Sequence, residues 1–501
     1  MKTLNKRIAR FTNRLPLLLY AALLGFSSWS QAQDAGPAPA GSDSLEYFFD
    51  KYVQVSDSGP HPTRSGTGDH GSKSPLELWS GPNKSTLRMT LQAEMLYANQ
   101  DASWFGEDEA NLGESSSSWW ETVVIPGLVG NYFSGKGDEW YAKLTAVASS
   151  TTDIDAAGSN VGYGDTSDVW AEDAYIGWRS GTRWSDLGKD FLNMSFGRQQ
   201  YVAGNGFLFY SQSSNGGERG GYWMGSRTAA DLAGVVQVNY KDLAVDLIYL
   251  EADDQDADTD PNNNTKVGGI TLDYALGDFG GVGGGYYSVS SEEKPRDGMD
   301  IVDLRFSITP FKQFLPKSWA APLVFEGEYV YQDNGDAMEA EGWYASGKYA
   351  WSDAAWSPTL TYRYSSFEGG VDADGKSKNY DPLFYGFYDW GYWYQGEVLG
   401  EYVLSNSNLN TSMVMVGLDP TDSIHVNLFY YHNELDDAAA FGVTSDEYAD
   451  EYNITIDWTA NDYLLFSLVG AYVDPDDAAI ESTGGDDDWY YVMLYASFTF
   501  K

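Results

Sequence analysis

The chain has 501 residues, with 73 Asp and Glu against 30 Lys and Arg, no Cys, and a formal net charge of −43. The missing cysteines exclude a disulfide scaffold, a Cys-ligated metal or iron–sulfur centre and a thiol nucleophile. The charge argues against nucleic acid as a partner, and no apolar stretch beyond the N-terminus approaches the ~18 residues of a membrane helix.

The first 32 residues read as a signal peptide. Lys2, Lys6, Arg7, Arg10 and Arg14 form a basic leader, 15–26 (LPLLLYAALLGF) is a short apolar stretch, and Ser30-Gln31-Ala32 supplies small residues for cleavage after Ala32. Residues 33–85 are polar and rich in Gly, Ser and Pro, and are expected to form a flexible lead segment.

From Leu87 to the C-terminus the hydropathy period is two. Leu87, Met89, Leu91, Ala93 and Met95 alternate with Arg88, Thr90, Gln92 and Glu94, and Tyr452, Ile454, Ile456 and Trp458 alternate with Asn453, Thr455 and Asp457. Strands are predicted at 87–98, 121–134, 139–150, 170–179, 191–199 and 232–240, then at 243–252, 266–275, 282–291, 299–310, 321–332 and 340–350. The remaining six are at 357–367, 408–417, 423–433, 450–459, 462–473 and 488–500, with 396–404 assigned to a loop to keep the alternation of long and short links. Alternating segments of about ten residues that end in aromatic rings suit strands tilted across a lipid bilayer, with rings at both interfaces. The expected fold is therefore all-β: a transmembrane antiparallel up-and-down barrel of 18 strands over 86–501, with short periplasmic turns and long extracellular loops. Its expected setting is the outer membrane of a Gram-negative bacterium, as a monomer among outer-membrane lipid and lipopolysaccharide.

If the apolar parity faces lipid, the other lines the lumen. Inward bases are then Arg88, Lys143, Arg305, Lys348 and Arg363; inward acids are Glu94, Asp173, Asp246, Asp273, Asp303, Glu326, Glu328 and Asp457. Such charges either select solutes or pair and stiffen the wall. Two long loops, 200–231 and 368–407, could fold inward as constrictions. They are rich in rings, among them Tyr210, Trp223, Tyr385, Trp390 and Trp393, which could stack on a sugar face or merely pack together. The run Asp254-x-Asp256-x-Asp258 lacks the glycine and the bidentate acid of a calcium loop and reads as solvated surface. His425 and His432 lie on opposite faces of one strand, so no catalytic triad, metal site or cofactor is expected.

The stretch 169–205 (VWAEDAYIGWRSG…LNMSFGRQQYVAGN), with Phe196-Gly197-Arg198-Gln199, and the later segment Tyr380–Gly386 (YDPLFYG) resemble the alginate-export family of outer-membrane channels. The resemblance implies an 18-stranded channel with an Arg-lined constriction that conducts an anionic polysaccharide. It points to Arg198 and Gln199, with Glu172 and Asp173 opposite. Arg198 shares parity with Met194 and Phe196, so an inward Arg198 requires a bulge at Gly197. The resulting reading is a passive channel of the alginate-export type passing a polysaccharide, oligosaccharide or other polar solute; the runner-up is a general or cation-preferring porin, favoured by the acidic loops. A plugged, surface-binding barrel is the third reading.

Overall fold

The computed structural model describes residues 76–114, 116–253, 264–386 and 393–500; the signal peptide, most of the lead segment, the 254–258 acid run and Trp390 lie outside them. Eighteen antiparallel strands form the wall. They are β1 (Thr86–Asp101), β2 (Ser116–Phe133), β3 (Glu139–Thr152), β4 (Thr166–Arg179), β5 (Leu192–Gln199) and β6 (Ala230–Tyr240). Next come β7 (Leu243–Glu251), β8 (Lys266–Ala275), β9 (Gly280–Ser290), β10 (Asp300–Ile308), β11 (Val324–Asp333) and β12 (Glu339–Ala350). The last are β13 (Thr359–Phe367), β14 (Leu409–Thr421), β15 (Ile424–Leu435), β16 (Glu447–Asn461), β17 (Leu464–Pro475) and β18 (Trp489–Phe500). Each strand pairs with its sequence neighbours, and β18 closes on β1 in a register running from Tyr490 opposite Asp101 to Phe500 opposite Leu91. Closure removes both sheet edges, which a bilayer, offering no hydrogen-bond partner, demands.

The alternation read from the sequence sets the two faces. Leu144, Ile176, Leu247, Leu304 and Leu494 are exposed on the outside, while their neighbours Lys143, Asp246, Asp303 and Arg305 are buried inside. Aromatic rings collect at both rims. At the short-turn end Trp178, Trp184, Phe191 and Tyr240 form a chain of edge-to-face contacts, and Tyr463 stacks on Phe500. At the long-loop end Tyr430, Tyr452, Tyr472 and Tyr490 line up across β15 to β18, with ring centroids 5.1, 6.0 and 5.4 Å apart. These are the interfacial girdles of a membrane barrel.

Three local departures from the sequence reading stand out. Residues 76–85, placed in the flexible lead, instead carry a short strand, Glu77–Ser80, paired antiparallel with the start of β1. The segment 396–404 is a loop, as assigned, but holds a π-helical turn at Leu399–Val403. The connections 180–191 and 309–323 are longer than a tight turn; the second holds a helical turn at Pro310–Phe314 and exposes Phe314, Leu315 and Trp319.

Leu144 lies midway along β3 on the lipid side. Leu144→Arg is expected to lower unfolding stability in lipid by about 2–4 kcal/mol, whereas Ser346→Arg, on the lumen side of β12, should be close to neutral. Equilibrium denaturation of both variants in vesicles checks the assignment of faces.

Candidate functional site

The lumen is narrowed by two long loops, which pair with each other inside the barrel. Phe209 forms a parallel bridge with Phe384; the Tyr210 amide donates to the Phe384 carbonyl at 2.8 Å, and the Gly386 amide to that of Gly206 at 3.1 Å. Phe207 is the hub of the packing, with Tyr344, Phe367, Tyr380 and Tyr394 around it at centroid distances of 5.5–6.0 Å. Such ring clusters supply both apolar burial and directional contacts. The inward folding of these loops agrees with the sequence expectation.

Three wall glutamates fasten the loops. Glu121 on β2 accepts the amides of Trp223 and Met224 at 3.2 and 2.9 Å. Glu172 on β4 accepts those of Thr228 and Ala229 at 2.8 and 2.9 Å, and Glu451 on β16 those of Val398 and Leu399, also at 2.8 and 2.9 Å. Each carboxylate thus satisfies two consecutive loop N–H groups that would otherwise be orphaned in a buried site. Glu121 and Glu451 were not picked out from sequence. The inward parity of Glu451 was readable beside Asn453 and Thr455, but Glu121 shares parity with apolar Trp119, Val123 and Ile125, and nothing local tells a solute-facing acid from one that meets a remote loop.

Two bulges place the 172–199 group. The β3–β4 register slips between Leu144 and Ala146, so Glu172 and Asp173 together face Thr145 and both are buried. The β5–β6 register slips between Gly197 and Gln199. Gly197 has φ +131°, and a Cβ there would lie 2.3 Å from the Ala174 carbonyl oxygen, so only glycine fits. The bulge takes Arg198 off the exposed row of Met194 and Phe196 and buries it. Gln199 is buried beside it, its side-chain amide donating to the Ala233 carbonyl at 3.4 Å.

The inward bases are largely engaged. Arg198 pairs with Asp253 at 2.6 Å and Asp231 at 2.9 Å, and Arg219 reaches the other Asp253 oxygen at 2.8 Å. Burial works to raise the Asp253 carboxyl, but the hydrogen bonds from Arg219 and Arg198 outweigh it and hold it below its ordinary range. Its contribution to stability is therefore complete near neutrality and is lost only as pH falls through the acid range. Lys143 pairs with Asp173 at 2.8 Å, and Arg227 with Asp168 at 3.1 Å. Arg305 is clamped between Asp273, at 3.0 Å, and Asp303, with Glu328 beside it across the β10–β11 register. Arg363 lies over the Tyr394 ring at 4.3 Å and donates to the Trp393 carbonyl, so it holds the loop.

The expected Arg-lined cationic constriction is thus corrected: burying a guanidinium in a protein wall requires partners, and nearby carboxylates provide them. Arg88, Glu94, Glu326 and Lys348 are on the lumen-facing parity and are more exposed than the paired bases. Asp457 accepts from Ser467.

Of the two roles open to the loop rings, the described ones mostly show packing. Tyr210 and Trp393 are buried in the loop packing, and Tyr385 contacts Tyr394. Trp223 is only half-buried, its indole donating to Glu397 at 3.0 Å. Glu397, Glu121 and Asp155 gather around Glu401; burial first, then these acidic neighbours, push the Glu401 carboxyl well up.

Glu451→Ala removes the acceptor of two loop amides and is expected to cost about 3 kcal/mol locally. Single-channel recording should show a larger, noisier conductance than the parent, while a Glu451→Gln variant, keeping one acceptor, should fall between.

No family model matches the chain, and no curated protein matches it in sequence. Among solved structures it is similar to OccAB1 of Acinetobacter baumannii, at 12% identity over 86% of this chain and 100% of that one, with a TM-score of 0.53. It is also similar to a BenF-like porin from Pseudomonas fluorescens Pf-5, at 11% identity over 82% and 98%, with a TM-score of 0.52. A third is Pseudomonas aeruginosa OccK2 (OpdF) in complex with glucuronate, at 10% identity over 83% and 96%, with a TM-score of 0.51. Identities this low establish the shared fold alone, a closed 18-stranded antiparallel barrel.

Proposed function

We propose that the protein is a passive diffusion channel for small polar solutes, with a preference for cations or for solutes carrying a positive group. The observation that carries this reading is the charge balance of the narrowed lumen. Arg198, Arg219, Arg227, Arg305 and Lys143 are each held by carboxylates, whereas Glu397 and Glu401 stand among other acids beside Trp223. A pore lined by an excess of one charge concentrates the opposite one. The two paired loops favour small solutes over a polymer, since a long chain needs an uninterrupted bore.

An export channel for a polyanion, the reading drawn from the alginate-export resemblance, calls for guanidinium groups free to meet successive carboxylates. The engaged arginines give it no support. The glucuronate complex of OccK2 (OpdF) is in keeping with small polar solutes as the class such barrels accommodate.

Planar-bilayer recordings under a salt gradient are expected to give a reversal potential of cation-selective sign. The selectivity should strengthen only as pH rises well past the ordinary carboxylate range, because burial and acidic neighbours keep Glu401 protonated until then. Added alginate oligomers should leave the current unblocked. Anion selectivity, or block by alginate, would overturn the reading.

A further inference from the structure

Outside the lumen, β15 and β16 carry a cluster that the channel does not use. Glu434 and Glu447 are register partners across the two strands, next to a bulge between Asn433 and Glu434. Like charges directly opposite weaken a strand pair. His432 sits beside them, with Nε2 3.4 Å from Glu447 Oε2 and 3.9 Å from Glu434 Oε1. One ligand atom from each of the three residues lies within 4.8 Å of the others. A tetrahedral ion with ligands at about 2.0–2.2 Å spaces them roughly 3.4 Å apart, so the cluster needs little adjustment to close on a metal.

The second observation is the imidazole's other nitrogen. His432 Nδ1 lies 2.8 Å from Asp450 Oδ1, and the same oxygen accepts the Tyr430 hydroxyl at 3.0 Å. A carboxylate on Nδ1 fixes the tautomer whose Nε2 lone pair points away from it, here toward Glu434 and Glu447. That is the outer support metal-binding histidines commonly have.

We propose that His432, Glu434 and Glu447 bind a divalent transition-metal cation of the Zn²⁺ class, with Asp450 as a positioning residue. One imidazole nitrogen with carboxylate oxygens is a borderline donor set that favours Zn²⁺ over Ca²⁺. The remaining coordination position opens outward, where Glu447 is exposed. The ion would replace carboxylate repulsion with two bonds at the base of the β15–β16 hairpin, pinning the loop 436–446 above it. The sequence expectation of no metal site weighed the 254–258 acid run and the histidines, not a ligand set shared between two strands. The third ligand comes from the next strand, brought opposite by the register. A protonated His432 that neutralises the same carboxylates accounts for the contacts without a metal, and the test must separate the two.

The experiment uses the purified mature barrel in detergent, stripped with a chelator and titrated with Zn²⁺ by calorimetry, with thermal unfolding in parallel. The expected result is one site per chain and a raised unfolding midpoint with Zn²⁺. His432→Gln and Glu447→Gln should each weaken that site at least about ten-fold, and Asp450→Asn should weaken it by roughly ten- to a hundred-fold. All three variants should retain the parent's resistance to unfolding in the stripped state, shown by heat-modifiable gel mobility. Absence of saturable Zn²⁺ binding would overturn the proposal in favour of the protonated histidine. So would Zn²⁺ binding unchanged by His432→Gln, or matched by Ca²⁺, since the loop acids would then be the ligands.

Discussion

The structure rests on one constraint: inside a bilayer no backbone amide can fall back on water. Each strand must be flanked on both sides, and a chain of antiparallel strands meets this only by returning its last strand to its first. The seam between β18 and β1, eleven register pairs from Tyr490–Asp101 to Phe500–Leu91, is where that condition is fulfilled. Once the ring is closed, side-chain direction follows. One parity must suit lipid and the other water, and the same alternation that makes the strands visible in the sequence divides the protein into a wall and a lumen.

The lumen repeats the problem on a smaller scale. Loops that fold into it bring backbone amides away from bulk solvent, and the protein answers with wall carboxylates rather than with more sheet. Glu121, Glu172 and Glu451 come from three strands, yet each receives two successive loop amides in the same way. Asp253 fills a comparable role for side chains, joining Arg198 to Arg219. Much of the acidity inside the barrel is therefore structural, spent on loops and on arginines.

How much of this was legible in the sequence follows from the range of each interaction. Strand positions depend on neighbours two residues apart, and the predicted segments agree with the observed ones to within a few residues; 266–275 coincides with β8. The Gly197 bulge was legible too, because an Arg sharing parity with Met194 and Phe196 is anomalous unless the strand kinks, and Gly is the residue that lets it. The companion bulge at Glu172-Asp173 left no comparable mark. The pairing of Arg305 with Asp273 joins different strands, and the hold of Glu451 on Val398 and Leu399 joins a strand to a remote loop. Neither has a local signature. That is why an arginine-lined passage was expected where the structure has neutralised pairs, and why the sequence left open whether the loop rings meet a sugar or one another.

β9 offers almost no side chains to the lumen at the level of Arg305. A Cβ on Gly283 would stand 2.2 Å from Asp273 Oδ1 and 2.9 Å from Arg305 Nε, and one on Gly285 would stand 2.1 Å from the Tyr287 hydroxyl. The neighbouring strands lean Asp273 and Arg305 across this bare strip, and Tyr287 of β9 itself folds back over Gly285. At Gly283 the space is therefore filled from the neighbouring strands rather than by β9: one methyl added there would shoulder the Asp273–Arg305 pair aside. Aperture and charge would shift together, which makes the glycine strip a coarse adjustment screw for the whole passage.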